Sequence, residues 1–165
     1  MAKRQHILLA KAAALLWAIG VIWIGSTQVD IPVFSRVLVT PMFFLAPGLV
    51  ILVMILWIAT CRFRMGLDDV EPLPTGCAAD TDQRILQNTI EQGALALALW
   101  IPISFLLPET GLGVVICLSI SFAIARVLYW IGAHRSPVLC AFGFAATIYP
   151  TLVAMIWAGI WWATF

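Results

Sequence analysis

The sequence predicts an all-α membrane protein of five spans, and three observations carry that prediction. The chain is 63% hydrophobic and 10% charged, where soluble domains run near about 45–50% apolar and about 25% charged. Five apolar segments, roughly 7–25, 38–60, 84–107, 111–133 and 138–162, approach the ~20 residues that a helix needs to cross about 30 Å of hydrocarbon. An alternating path through those spans puts Lys3, Arg4, Lys11, Arg62, Arg64, Arg84, Arg126 and Arg135 on one side and Arg36 on the other. Eight against one predicts a cytoplasmic N-terminus and an outward-facing Phe165 in an inner or plasma membrane.

The elements follow in order. The basic start MAKRQH suits a signal peptide, but the apolar run behind it is long, Lys11 interrupts it, and no small-residue cleavage site follows cleanly. The expectation is a retained helix with Lys11 reaching the interface. Prolines interrupt later spans at Pro41, Pro47, Pro102 and Pro150, which membrane helices tolerate when neighbours satisfy the freed carbonyls. The substantial loop is 61–83, cytoplasmic and acidic at Asp68, Asp69 and Glu71, with Pro72, Pro74 and Gly76 as punctuation. Asp80 or Asp82 is expected to cap the third helix, a carboxylate accepting from its first free N–H groups. Trp161 and Trp162 suit an aromatic belt at the far face.

Composition also excludes. A formal net charge of +1 without a basic cluster argues against nucleic acid as a partner. Cys61, Cys77, Cys117 and Cys140 show no C-x-x-C spacing and read as free thiols packed as small hydrophobes. His6 near the terminus and His134 in a short loop make no zinc site, so no metal is expected. Without a soluble domain, the helices and the one loop must build any chemistry. Transport fits poorly, since the polar residues gather at one face and leave no midplane site.

Two groups of polar residues stand out of the grease. In RILQNTIEQGALALALW, Arg84, Asn88 and Glu91 recur at i, i+4 and i+7, on one helical face. The apolar remainder, Ala94 to Leu107, is too short to span alone, so these polar turns enter the headgroup zone, Glu91 about 10 Å deeper than Arg84. In ARVLYWIGAHRS, Arg126 sits inside an apolar run with Tyr129 following on nearly the same face. Each has a bland reading: a solvated helix end, a snorkelling arginine, an interfacial tyrosine. Yet both groups reach the same cytoplasmic depth. Together they suit a small zwitterionic peptide with free carboxylates and an α-amine, because guanidinium pairs bidentately with carboxylate.

R-x-x-x-N-x-x-E opening one span and R-x-x-Y-x-x-G closing the next resembles the MAPEG family, membrane-associated proteins in eicosanoid and glutathione metabolism. The stretch Cys140-Ala-Phe-Gly-Phe is similar to the family's R-A-x-G/S-F. The resemblance covers about Leu38 to Trp162. It implies a four-helix transmembrane bundle over 38–165, with 1–37 as an extra N-terminal helix and external linker. It further implies a homotrimer that binds glutathione, the co-substrate, between subunits near the cytosolic face. Arg84, Asn88, Glu91, Arg126 and Tyr129 would then hold glutathione, and Arg62 or Arg64 would add a basic contact. A lipophilic small molecule would arrive from the bilayer, and the activity would be glutathione transfer or peroxidase chemistry. Two departures stand out: Ala133 replaces a frequent second tyrosine, and Cys140 falls where active members carry the arginine that stabilises the thiolate. Arg135 is the nearest substitute for that cation. The alternative implied is a member that binds glutathione or lipid without catalysis.

Overall fold

Apolar runs with polar punctuation fold into five long helices joined by short turns and one loop. The structure, a computed structural model, describes residues 2–29, 39–68, 70–107 and 109–164. Helix α1 spans Ala2–Thr27, α2 Leu45–Met65, α3 Ala78–Leu106, α4 Gly111–Arg135 and α5 Pro137–Thr164, and no strand occurs among the described residues. Each of the five helices is long and apolar enough to cross a membrane. Arg36, Asp69 and Phe165, read above as lying on the far side, in the loop and at the outer end, fall outside the described residues.

Local chemistry sets the ends. A 3-10 turn, Thr40–Phe44, leads into α2 and takes Pro41 in its first turn, while Pro47 lies in the first turn of α2. There the missing N–H would have had no intrahelical partner. Helix α2 closes on Gly66 at φ 70, which turns the N–H groups of Gly66 and Leu67 back onto the last carbonyls. Helix α3 begins at Ala78, ahead of the expected Arg84, and its N-cap is Cys77, whose Sγ accepts from the Asp80 N–H at 3.3 Å. The expectation that Asp80 or Asp82 caps it is therefore corrected. Asp80 turns back to the Gly76 N–H at 3.1 Å, and Asp82 lies on the buried face, where side-chain donors from other helices claim it. His134 is not in a loop either. It occupies the last turn of α4, because Ser136 alone separates α4 from α5 and Pro137 opens the next helix.

Helix α4 packs on all four others and is the most buried of the five. Small residues let its neighbours close in: Ala14 of α1, Ala125 of α4, and Ala145 and Ala146 of α5 form one cluster. Polar side chains pin the helices together at about 0.6 kcal/mol each. Trp17 donates to Ser121 Oγ at 2.7 Å, tying α1 to α4. Trp100 donates to Thr151 Oγ1 at 3.1 Å, tying α3 to α5, and Phe44 stacks on the Trp100 ring. Where α4 meets α5, a Cβ on Gly143 would stand 2.7 Å from the Tyr129 Cα, and one on Gly132 would collide with the Cys140 backbone. These two glycines set the approach that holds Tyr129 and Cys140 along one helix seam.

Candidate functional site

Arg126 is the centre of the candidate site. It lies two and a half turns from the end of α4, and none of its surface is exposed. Its Nη1 donates to Asn88 Oδ1 at 2.8 Å, which joins α4 to α3. The guanidinium carbon stands 5.5 Å from the Phe122 ring centroid and 5.2 Å from that of Tyr129. Cation–π contacts of this kind return part of the lost hydration, about 1–2 kcal/mol when desolvated. They do not satisfy hydrogen-bond donors. Arg126 Nε and Nη2 are buried and have no hydrogen-bond partner among the described residues. Buried unpaired donors normally cost about 1–3 kcal/mol each, more when charged, so the guanidinium carries an uncompensated cost in a single copy of the chain.

The other expected ligand-binding residues are arranged around it unequally. Gln83, Arg84, Gln87, Asn88 and Glu91 line one open groove of about 380 Å³ on α3. Arg84 is largely exposed and pairs with Asp80 at 3.1 Å, one turn back. Glu91 is exposed and accepts from Gln87 Nε2 at 3.2 Å. Asn88 is thus the link, lining the groove while its Oδ1 holds the buried guanidinium. Tyr129 is half-buried beside Arg126, its ring 6.0 Å from that of Phe144. Arg62 is committed elsewhere: its Nη1 donates to the Glu71 carbonyl at 2.6 Å and bridges to that of Asp68, so it braces the loop. Arg64 is exposed, with no ion pair among the described residues.

Cys140 is half-buried on the first turns of α5, an unbridged thiol like Cys61, Cys77 and Cys117. It shares a shallow groove of about 390 Å³ with Gly132, Ala133, His134, Arg135, Ser136 and Pro137. Arg135, expected above as the nearest substitute cation, lies along the same groove as the thiol, with its own side chain exposed.

One polar cluster escaped the sequence reading. Asp82 is 4% exposed, and its carboxylate accepts from Trp57 Nε1 at 3.0 Å, Trp130 Nε1 at 2.7 Å and His134 Nε2 at 2.6 Å. It joins α2, α3 and α4 at one end of the bundle. Two signals were available: Trp130 and His134 are four residues apart and share a face of α4, and Asp82 interrupts the buried stripe Ala79, Leu86 and Thr89 of α3. Nothing in the sequence, however, says that these two faces meet.

Comparison with known proteins bears on the family. The model of the MAPEG family matches residues 39–161, which cover α2 to α5 and leave α1 outside the match. No curated protein and no solved structure matches the chain.

Proposed function

The chain belongs to the MAPEG family, and from that premise we propose that this integral multi-pass membrane protein is a glutathione-dependent enzyme acting on lipophilic electrophiles. The observation that carries the reading is the buried Arg126 guanidinium with two unpartnered donor nitrogens beside Asn88. A peptide carboxylate matches those two donors in charge and in hydrogen-bonding capacity, and it would reach them past Asn88, which lines the open groove. In this reading Asn88 and Arg126 hold one carboxylate of glutathione, Arg84 attracts the second, and Glu91 takes the α-amine. Tyr129 orders the guanidinium through its ring and offers a hydroxyl to the ligand. Arg64 is free to add a distant positive charge, whereas Arg62 is held by the loop.

Residues 38–165 are the glutathione-binding unit in this proposal, and 1–37 is an added membrane anchor. The grooved face of α3 is open in one copy, and a homotrimer would close it with a neighbour. The lipophilic partner enters from the bilayer, and the thiol proton leaves to solvent at the cytoplasmic face. The thiolate sulfur bonds to the electrophilic carbon as that carbon's bond to its leaving group breaks, the leaving group departing as an anion with the electron pair. Cysteine labelling tests that orientation, since Cys77 modified solely from the external face would reverse it.

The absence of arginine at Cys140 favours a second reading, glutathione or lipid binding without catalysis. A neutral thiol has a pKa near about 8.5, and cations lower it. With Arg135 exposed, the bound thiol would stay mostly protonated. Calorimetric titration of the detergent-solubilised protein with glutathione, followed by conjugation of a generic aromatic electrophile, separates the two. Binding with turnover supports the enzyme, binding without turnover supports the second reading, and no binding of glutathione removes the enzyme and leaves only the lipid-binding form of the second reading.

A further inference from the structure

The Asp82 cluster does more than join helices, because its members wall a cleft. Trp57, Ala78, Asp82, Trp130, Ile131, His134 and Arg135 enclose about 410 Å³ at the end of the bundle where α2, α3 and α4 meet. The carboxylate of Asp82 is saturated by three donors, so it fixes the walls rather than offering itself to a ligand. The two indoles meet edge to face, 6.3 Å between centroids, with their N–H groups turned inward to Asp82. What remains for a ligand is apolar ring surface, the second ring nitrogen of His134 and the Arg135 guanidinium. Arg135 makes no ion pair among the described residues.

From the mouth of this cleft an apolar stripe runs along α4. Ile131, Val127, Ile124 and Ile120 are between 41% and 54% exposed on a helix that is otherwise the most buried. They recur at helical spacing on one face and cover about 16 Å, close to one leaflet of a hydrocarbon core about 30 Å thick. A cationic rim, aromatic walls at the end of a spanning helix and an apolar track of one leaflet's depth describe an amphiphile, with an anionic head and a long chain.

We infer that the cleft formed by Trp57, Trp130, His134 and Arg135 is a binding site for an anionic phospholipid, its phosphate on Arg135 and one acyl chain along Ile131–Ile120. The inference rests on the membrane-spanning architecture and not on glutathione binding, and it concerns a different face of α3 from the Arg84–Asn88–Glu91 groove.

The test is native mass spectrometry of the full chain, released from micelles containing equal phosphatidylglycerol and phosphatidylcholine. The native protein retains phosphatidylglycerol preferentially, by about fivefold for a single interfacial cation. Arg135→Gln abolishes that preference, and Arg4→Gln, which removes the same charge from an exposed site at the start of α1, leaves it intact. Equal retention of the two lipids by the native protein overturns the inference. So does an equal loss in the Arg4 variant, which would reduce the effect to net charge. Displacement of the lipid by millimolar inorganic phosphate would show that a free phosphate, not a lipid, is the ligand. An assembly of several copies that carries no lipid would mean that a second copy covers the stripe.

Discussion

Two buried polar centres lie toward the same end of this bundle, and they are opposite in their state of satisfaction. Around Asp82, three donors from two other helices converge on one carboxylate. Around Arg126, one amide oxygen and two aromatic faces serve a guanidinium with two donor nitrogens left over. A complete network braces a fold, because every charge and donor is already compensated. An incomplete one stores a deficit that a ligand can relieve. The contrast teaches that the polar residues proposed to bind ligand are not the ones that hold the single chain together. Substitutions at the two centres should therefore move stability and binding in different directions.

The largest effect is expected at Asp82. Asp82→Ala strands two indole N–H groups and an imidazole where their acceptor was. Each of the three bonds to the carboxylate is part-buried and costs about 1.5 kcal/mol when lost, the low end for a charged acceptor, and the combined loss should show as a lower midpoint of thermal unfolding in detergent. Added glutathione should raise the midpoint of the variant and of the native protein by the same increment, since the cleft lies on another face of α3 and leaves glutathione affinity unchanged. An unchanged midpoint would mean that the cluster braces nothing, and the contrast would collapse.

Arg126 should give the reverse pattern. Arg126→Met keeps similar volume and removes an under-partnered buried cation, so unfolding should be unchanged or shifted up, within about 1–4 kcal/mol. Glutathione affinity should fall by about 2–5 kcal/mol, tens-fold or more, if the guanidinium holds a desolvated carboxylate. Calorimetry and thermal unfolding on the same preparation give both numbers. A variant that loses stability and keeps its affinity would make Arg126 a structural residue.

How much of this was legible beforehand differs between the centres for a physical reason. Composition and the roughly 20-residue length of a span are set by the bilayer itself, so five helices could be read before any packing was known. Arg126 was legible as an anomaly, because a cation inside an apolar run is expensive wherever its neighbours lie. Its pairing with Asn88 was legible as a shared depth. The Asp82 cluster was not, because a carboxylate near a helix start has a cheap local explanation as a cap. What overrode that explanation was tertiary: Trp57 and His134 come from helices whose faces meet Asp82 through packing alone. The loop bonds of Arg62 were hidden for the same reason, since its partners there are backbone carbonyls that carry no sequence signature.

Cys140→Arg carries the comparison from binding to chemistry. The shallow groove on α4 and α5 already has Arg135 on its rim, so the question is whether that cation reaches the bound sulfur. If it does not, the new guanidinium should lower the pKa of the bound glutathione thiol by one or two units, each about 1.4 kcal/mol. At neutral pH, below the unperturbed thiol value, such a drop raises the thiolate fraction severalfold or more. Ultraviolet thiolate absorbance of the complex across pH measures it in both proteins. A native complex that is already depressed would credit Arg135 or another group, and the enzyme reading would stand without this arginine.

The smallest expected effect tests the open groove. Glu91 is exposed and bonded to Gln87, so the contact proposed for it with the ligand amine would be a surface ion pair in a single copy. Such pairs contribute about 0.2–1 kcal/mol, so Glu91→Gln should weaken glutathione binding by up to about fivefold. Glu109→Gln removes the same charge at the opposite end of the bundle, in the turn before α4, and should leave affinity unchanged. The size of the difference is informative in itself. A neighbouring copy that covers the groove would desolvate Glu91 and carry its contribution toward the 2–5 kcal/mol of a buried pair, and dilution to monomer would shrink it again. Titrating both variants above and below the concentration at which the assembly dissociates therefore measures the pair and the covering subunit together. Equal affinities for the two variants under both conditions would return Glu91 to a solvated helix face and leave Arg84 and Arg126 as the charged anchors.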